Sequence, residues 1–111
     1  MIEKTVIDYL SGNLSCDVYA EIPKDMPDEF VVVSKTGGGK TDHVFSALIA
    51  IQSYSNTLLG AATLNETVKE KMDGILELDS VGKCKLNSDY NFTDTSLKRY
   101  RYQAVYDFMH Y

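Results

Sequence analysis

Residues 43–54, HVFSALIAIQSY, decide the fold class, because this stretch can be read as a strand or as a helix. Polar residues flank it on both sides and β-branched residues recur within it, which favours a strand. Alternate residues then lie on two faces of a sheet: Val44, Ser46, Leu48, Ala50, Gln52 and Tyr54 on one, and Phe45, Ala47, Ile49, Ile51 and Ser53 on the other. We therefore predict a long strand here.

The segment before this strand predicts two more strands. Phe30–Val33 is a run of apolar, mostly β-branched residues, which is typical of a central strand buried on both faces. Residues 36–41 carry three consecutive glycines, and we place a hairpin turn there because glycine readily adopts positive φ values. Farther upstream, residues 16–22 alternate as a short strand with one wet face until Pro23. Residues 23–29 read as an acidic loop.

Two helices complete the pattern. In residues 2–14 the apolar positions are mostly three or four apart, as in an amphipathic helix, and Gly12 marks its end. A second helix follows Ser55 and Asn56, which can cap its start, and its Lys69 and Asp73 are spaced to form an ion pair. The buried stripes are Ile2, Val6, Tyr9, Leu10 and Leu14 in the first helix, and Ala61, Leu64, Val68, Met72 and Ile75 in the second.

The last third of the chain predicts a long hairpin around a turn at 93–96. Alternating apolar positions are Cys84, Leu86, Tyr90 and Phe92 before the turn, and Tyr100, Tyr102, Ala104, Tyr106 and Phe108 after it. The element order is then α-β-β-β-α-β-β in a single domain, 1–111. The fold class is α+β, with two helices packed on one face of a single, mainly antiparallel sheet. The expected core includes Val6, Leu10, Val32, Leu64, Val68, Tyr102 and Ala104.

Composition limits the functions open to this chain. Its 111 residues are 44% apolar and 24% charged, enough for one core at this length. Eleven Lys and Arg against sixteen Asp and Glu give a net charge of −5, which disfavours general nucleic-acid binding. We find no stretch apolar enough for a membrane span or a signal peptide, and expect the protein to stay where it is made. Cys16 and Cys84 should then be free thiols.

The run Gly-Gly-Gly-Lys-Thr at 37–41 raises the question of nucleotide binding. A phosphate-binding loop needs Gly-x-x-x-x-Gly-Lys-Thr, and the position of its first glycine is Ser34 here. Such a loop also opens a helix, whereas 43–54 reads as a strand. A small nucleotide-binding protein is therefore the less favoured interpretation, and a flexible hairpin tip is the favoured one.

Residues that carry enzyme chemistry are few and scattered. His43 and His110 lie in no nucleophile–base context, and with Cys16 and Cys84 they show none of the paired short spacings of a zinc site. The acidic loop at 23–29 is typical of a solvated loop. We predict no catalytic residues, no metal ligands and no cofactor, and a protein that is not an enzyme.

Basic and aromatic residues alternate in the run Lys98-Arg99-Tyr100-Arg101-Tyr102. Strand platforms that stack single-stranded nucleic acid present both types on one surface. On a strand, however, Tyr100 and Tyr102 share one face while Arg99 and Arg101 share the other. We therefore predict that the tyrosines pack under the helices and that the arginines lie on the outer face or in an interface.

Several stretches taken together resemble a known family. They are the valine-rich strand with the acidic, proline-containing loop before it (18–33), the glycine-rich run, and the closing stretches 88–95 and 98–108. In these features and in its element order, the chain resembles the tail terminator or tail-completion (head–tail joining) proteins of long-tailed phages and of prophages in Gram-positive bacteria. The resemblance covers nearly the whole chain and includes no catalytic signature.

The resemblance implies a structural protein of virion assembly. Such proteins form a ring, commonly a hexamer, that caps the tail tube, so the implied partners are other copies of this chain, the major tail tube protein and the head–tail connector protein, with no membrane or specific nucleic-acid partner. The implied location is the host cytoplasm during assembly and then the virion tail. Another minor tail or connector protein is the alternative.

The candidate interface comprises Gly37, Gly38, Gly39, Lys40, Arg99 and Arg101. We expect the glycine-rich tip to contact a neighbouring subunit or tail component, and the two arginines to pair with acidic residues of a neighbour. If the arginines are exposed, changing both to Glu should block ring formation with little effect on the thermal midpoint. The strands at 43–54 and 97–109 should offer sheet edges to neighbours.

Overall fold

The computed structural model describes residues 1–97 and 99–111, so that Lys98 of the basic and aromatic run lies outside the described residues. In chain order the elements are α1 (Ile2–Ser11), β1 (Asp17–Tyr19), β2 (Glu29–Thr41), β3 (Val44–Ser55), α2 (Leu58–Met72), β4 (Val81–Asn91) and β5 (Tyr100–His110). Single 3₁₀ turns follow α2 at Ile75–Glu77 and β4 at Thr95–Leu97. The predicted element order and the α+β class are confirmed.

One five-stranded sheet, with strand order β1-β2-β3-β5-β4, organises the chain. β1 pairs with β2 in parallel, and the other neighbouring pairs are antiparallel. The predicted strand at 16–22 is shorter than expected, because the chain leaves the sheet at Ala20 and exposes Ile22. Residues 20–28 return to the start of β2, which is why β1 and β2 run in the same direction.

Both helices pack on one face of the sheet, as predicted. α1 lies over β1 and β2, and α2 lies over β3 and β5. The Tyr9 hydroxyl joins the helices by donating a hydrogen bond of 2.7 Å to the Lys71 carbonyl. The main core under the helices consists of Ile2, Val6, Leu10, Val31, Val33, Ala47, Ile49, Ile51, Leu64, Val68, Met72, Ile75, Val81, Ala104, Tyr106 and Phe108.

A second, smaller cluster lies on the opposite face. Phe30 and Tyr54 stack with ring centroids 4.5 Å apart, and Val32 packs beside them. The valine run is therefore buried on both sides, but Val32 lies away from the helices instead of in the core beneath them. Tyr102 also departs from the predicted core: it faces the helices, but it is only half-buried.

The start of α2 and its ion pair differ from the prediction. Thr57 is the capping residue, and its hydroxyl oxygen accepts a hydrogen bond of 3.0 Å from the Gly60 amide. Lys69 pairs with Glu66 at 2.8 Å and with Asp89 of β4 at 2.5 Å, and not with Asp73. The lysine turns towards the sheet, where Asp89 meets it, while Glu66 pairs with it from within α2.

An extra residue in β4 changes which side chains face the helices. The pairing with β5 passes from Leu86 opposite Tyr106 to Ser88 opposite Val105, so Asn87 is an unpaired bulge. Cys84 and Leu86 therefore face the helices, while Tyr90 faces the other side. The predicted alternation from 84 to 92 is wrong at this point. No helix in the described part of the chain is long and apolar enough to cross a membrane.

Candidate interaction surfaces

The three glycines of the candidate interface lie within a strand and not at a hairpin tip. Gly37, Gly38 and Gly39 pair with Leu48, Ala47 and Ser46. A Cβ atom on Gly38 would lie 3.1 Å from the Ser46 carbonyl oxygen, so glycine permits this close approach. The hairpin was predicted correctly and its turn was misplaced.

The turn of this hairpin is formed by Asp42 and His43, whose φ values are 49° and 68°. Two successive positive φ values are typical of the tight turns that join twisted antiparallel strands. Glycine is the usual residue for such angles, and the turn was therefore predicted at the three glycines. Asp also tolerates the left-handed region, and that was the available sequence signal.

The run at 37–41 lacks the geometry of a phosphate-binding loop, because it is extended in β2 and leads through a tight turn into β3. Its lysine is engaged with an aromatic ring: the Lys40 Nζ atom lies 5.3 Å from the centroid of Phe45. Phe45 in turn stacks on His110, with 5.3 Å between centroids. Burial lowers the pKa of His110.

Arg101 lies on the face away from the helices, as predicted, but its side chain is used within the chain. Its Nε donates a hydrogen bond of 2.7 Å to the Phe92 carbonyl, and its Nη1 donates one of 3.0 Å to the Tyr54 hydroxyl. The guanidinium also lies 4.4 Å from the centroid of the Phe92 ring. Arg99 donates to the Met26 carbonyl over 3.4 Å. Neither arginine is a simple exposed charge, so their role in an interface stays a prediction.

A polar network continues from Tyr54 across the same face of the sheet, and the sequence pattern did not predict it. The Tyr54 hydroxyl donates to the Gln52 Oε1 atom over 3.2 Å, and the Gln52 amide donates to the Gln103 Oε1 atom over 2.9 Å. Gln103 then donates to the Tyr90 hydroxyl over 2.6 Å. Tyr90 reaches Gln103 because of the bulge at Asn87, which strict alternation does not reveal.

The residues considered for chemistry are dispersed. Cys16 and Cys84 are free thiols, as predicted, and both are half-buried. Burial raises the pKa of each thiol, that of Cys84 to about 12. His43 is exposed at the turn, whereas His110 lies at the end of β5. Within residues 1–97 and 99–111, no group of three or more His, Cys, Asp or Glu side chains could hold a metal ion.

The free edges of the sheet are not those predicted, because β3 and β5 are interior strands. β4 forms one edge along its whole length. On the other side β1 pairs only with Phe30–Val32, so the outer edge of β2 from 33 to 41 faces no other strand among the described residues. No protein-family model and no curated protein sequence matches the chain.

Proposed function

We propose that this chain is a structural subunit of a phage or prophage tail, a terminator or completion protein that forms a ring at the head-proximal end of the tail tube. The observation that carries the proposal is the pair of free strand edges on opposite sides of one sheet, β4 on one side and residues 33–41 of β2 on the other. It supports the function that the sequence resemblance implies.

Strand direction favours side-by-side association of copies in the same orientation. Along the sheet β2, β3, β5 and β4 alternate in direction, so β4 runs antiparallel to β2. A neighbour placed beside β4 would present its β2 edge in the antiparallel sense and extend the sheet. The two surfaces in such a contact differ, and contacts of this kind generate a closed ring or an open filament.

The charge distribution favours subunits that stay apart until a tube end brings them together. Lys35 and Lys40 lie on β2, and Lys83 and Lys85 are exposed on β4. Lysines are a common means of discouraging unwanted edge pairing. Together with the net charge of −5, they favour a soluble monomer until a tube end brings copies together. The tail tube protein and the head–tail connector are the proposed partners, and the role is assembly without catalysis or a cofactor.

The proposal is tested by light scattering and electron microscopy of the purified protein, alone and mixed with tail tubes. We expect rings that cap one end of the tubes. Cys84→Pro and Lys85→Pro form a matched pair, because successive residues of a strand direct their amides to opposite sides. One of the two variants loses an amide that bonds to β5, and the other loses an amide that points away from the sheet. The variant that keeps the wild-type fold is the one without the outward amide, and it should fail to form rings.

A protein that neither forms rings nor binds tubes would contradict the proposal. So would a folded proline variant that caps tubes as well as the wild type. The alternative, another connector or minor tail protein, would place the ring away from the end of the tube in the same micrographs.

A further inference from the structure

The helix layer leaves one strand of the sheet uncovered. An α-helix with its side chains is about 10 Å wide and strands lie about 4.8 Å apart, so each helix covers about two strands. With α1 over β1 and β2 and α2 over β3 and β5, only the 3₁₀ turn Ile75–Glu77 packs closely on β4, and the rest of its helix-facing side stays open. The result is a groove of about 680 Å³ between α2 and β4.

The floor and one end of this groove are apolar. Cys84 and Leu86 of β4, Tyr106 of β5 and Met72 of α2 contribute to it, and Leu76 lies beyond the end of α2. Leu86 is 41% exposed and Leu76 is 53% exposed, and both line the groove together with the buried Met72 and Tyr106. Helix-in-groove recognition seats the apolar face of an amphipathic helix on a floor of this kind.

The α2 wall of the groove is acidic. Glu66, Glu70 and Asp73 line it at spacings of four and three residues, so they follow one face of the helix. The lysine in the same wall, Lys69, is already paired with Glu66 and Asp89, and these hydrogen bonds raise its pKa. Asp73 and burial together raise the pKa of Cys84 in the floor. The wall therefore offers unneutralised negative charge beside an apolar floor.

We propose that this groove is the docking site for an amphipathic helix of another protein, whose apolar side would cover the floor and whose Lys or Arg side chains would face the acidic wall. The wall from Glu66 to Asp73 spans about 10 Å, or two turns of helix. This inference does not depend on ring formation.

Charge argues against a second copy of this chain as the occupant. Two copies meeting groove to groove would bring together Glu66, Glu70 and Asp73 from each, which is unfavourable at close range. Lys83 and Lys85 of β4 cannot neutralise the wall, because the pairing with β5 places them on the other face of the sheet, opposite Met109 and Asp107.

The test uses two synthetic helical peptides of about 18 residues with the same leucine stripe, one flanked by lysines and the other by glutamates. Amide NMR spectra of the isotope-labelled protein at low ionic strength should show the lysine peptide shifting signals around Leu86 and Leu76. Reversing Glu70 and Asp73 together to Lys should weaken binding about tenfold or more, since two attractive pairs become repulsive.

Leu86→Asp should also abolish binding of the lysine peptide, because it places a carboxylate on the apolar floor. Leu59→Asp is the matched control: Leu59 is 78% exposed near the start of α2 and does not line the groove. Reversing Glu21 and Asp25 to Lys controls for net charge.

Shifts confined to the groove, lost in both groove variants and kept in both controls, would support the proposal. It would be overturned by shifts elsewhere, by equal binding of the glutamate peptide, or by the same loss in the charge control. Groove signals that shift on dilution of the protein alone would identify a second copy as the occupant, and would overturn it as well.

Discussion

Replacing Arg101 by Ala should destabilise the fold, although the sequence predicts an exposed residue there. The side chain holds the Phe92 carbonyl at 2.7 Å and the Tyr54 hydroxyl at 3.0 Å, and it lies over the Phe92 ring. A hydrogen bond that involves a charged group contributes about 1.5–3 kcal/mol, and we take about 1 for the part-buried one to Tyr54. The exposed bond to the Phe92 carbonyl and the contact with the Phe92 ring add about 0.5 kcal/mol each.

The expected loss is therefore about 2 kcal/mol in the free energy of unfolding, or a fall of about 8 °C in the thermal midpoint at this chain length. Urea unfolding followed by circular dichroism and tyrosine fluorescence measures it, since the chain has no tryptophan. Lys4→Ala is the control: Lys4 makes an exposed pair with Asp8 and should cost less than about 0.5 kcal/mol.

A double-mutant cycle with Tyr54→Phe isolates one contact, and its coupling energy should be about 0.5–1 kcal/mol. If Arg101→Ala costs no more than Lys4→Ala, the reasoning is refuted. If it costs what we expect, the double change of Arg99 and Arg101 to Glu also lowers the thermal midpoint. A loss of assembly in that double variant would then not locate an interface by itself.

Three further predictions concern the turn, a thiol and the ionic strength. His43→Gly should raise the free energy of unfolding by about 0.5–1 kcal/mol in urea, because His43 has a φ of 68° that glycine adopts without strain; a decrease would contradict this. Cys84, with a pKa of about 12, should react with iodoacetamide at pH 8 about a thousandfold more slowly than a cysteine peptide, and equal rates would refute its burial. Because unfolding returns this pKa to its usual 9.0, stability should fall between pH 9 and 12, and less steeply in Cys84→Ala. Raising the ionic strength to about 1 M, where the screening length is about 3 Å, should increase the average mass in light scattering; an unchanged mass would count against like-charge repulsion as the barrier.

The parts of the fold that follow from one periodic pattern were predictable. Residues 44–54 alternate without interruption, and their two faces are those predicted, with Ala47, Ile49 and Ile51 under the helices and Tyr54 on the other side. Most residues of the two predicted stripes are buried, because a spacing of three and four residues places them on one helix face. Tyr9 and Leu14 are only partly buried, and Leu14 and Ile75 lie beyond the ends of the helices. Local pattern alone determines these elements.

The features that were predicted wrongly depend on residues far apart in the sequence, which a local sequence pattern does not reveal. The turn falls at Asp42 and His43, and the one-residue register shift between Lys35 and Gly37 sets the loop between Thr41 and Val44 at two residues. Lys69 finds Asp89, twenty residues away, instead of Asp73 on its own helix. The sheet face on which Arg101 lies can be predicted from the alternation of the strand. Its hydrogen bonds cannot, since they involve Phe92 and Tyr54 from two other segments.

The bulge at Asn87 connects the two surfaces described above. With strict alternation, Asp89 would face away from α2 and could not bind Asn65 at 2.6 Å, and Tyr90 would face away from Gln103. One extra residue therefore secures α2 to β4 on one side and completes the polar network on the other. Edge pairing uses the backbone of β4, whereas the groove uses its helix-facing side chains. In the proposed ring, α1 of the neighbouring copy would lie over that copy's β2, on the far side of β4. Only the width of β4, about 4.8 Å, would then separate α2 from that helix, so a docked helix about 10 Å wide and a ring neighbour would compete for the same space.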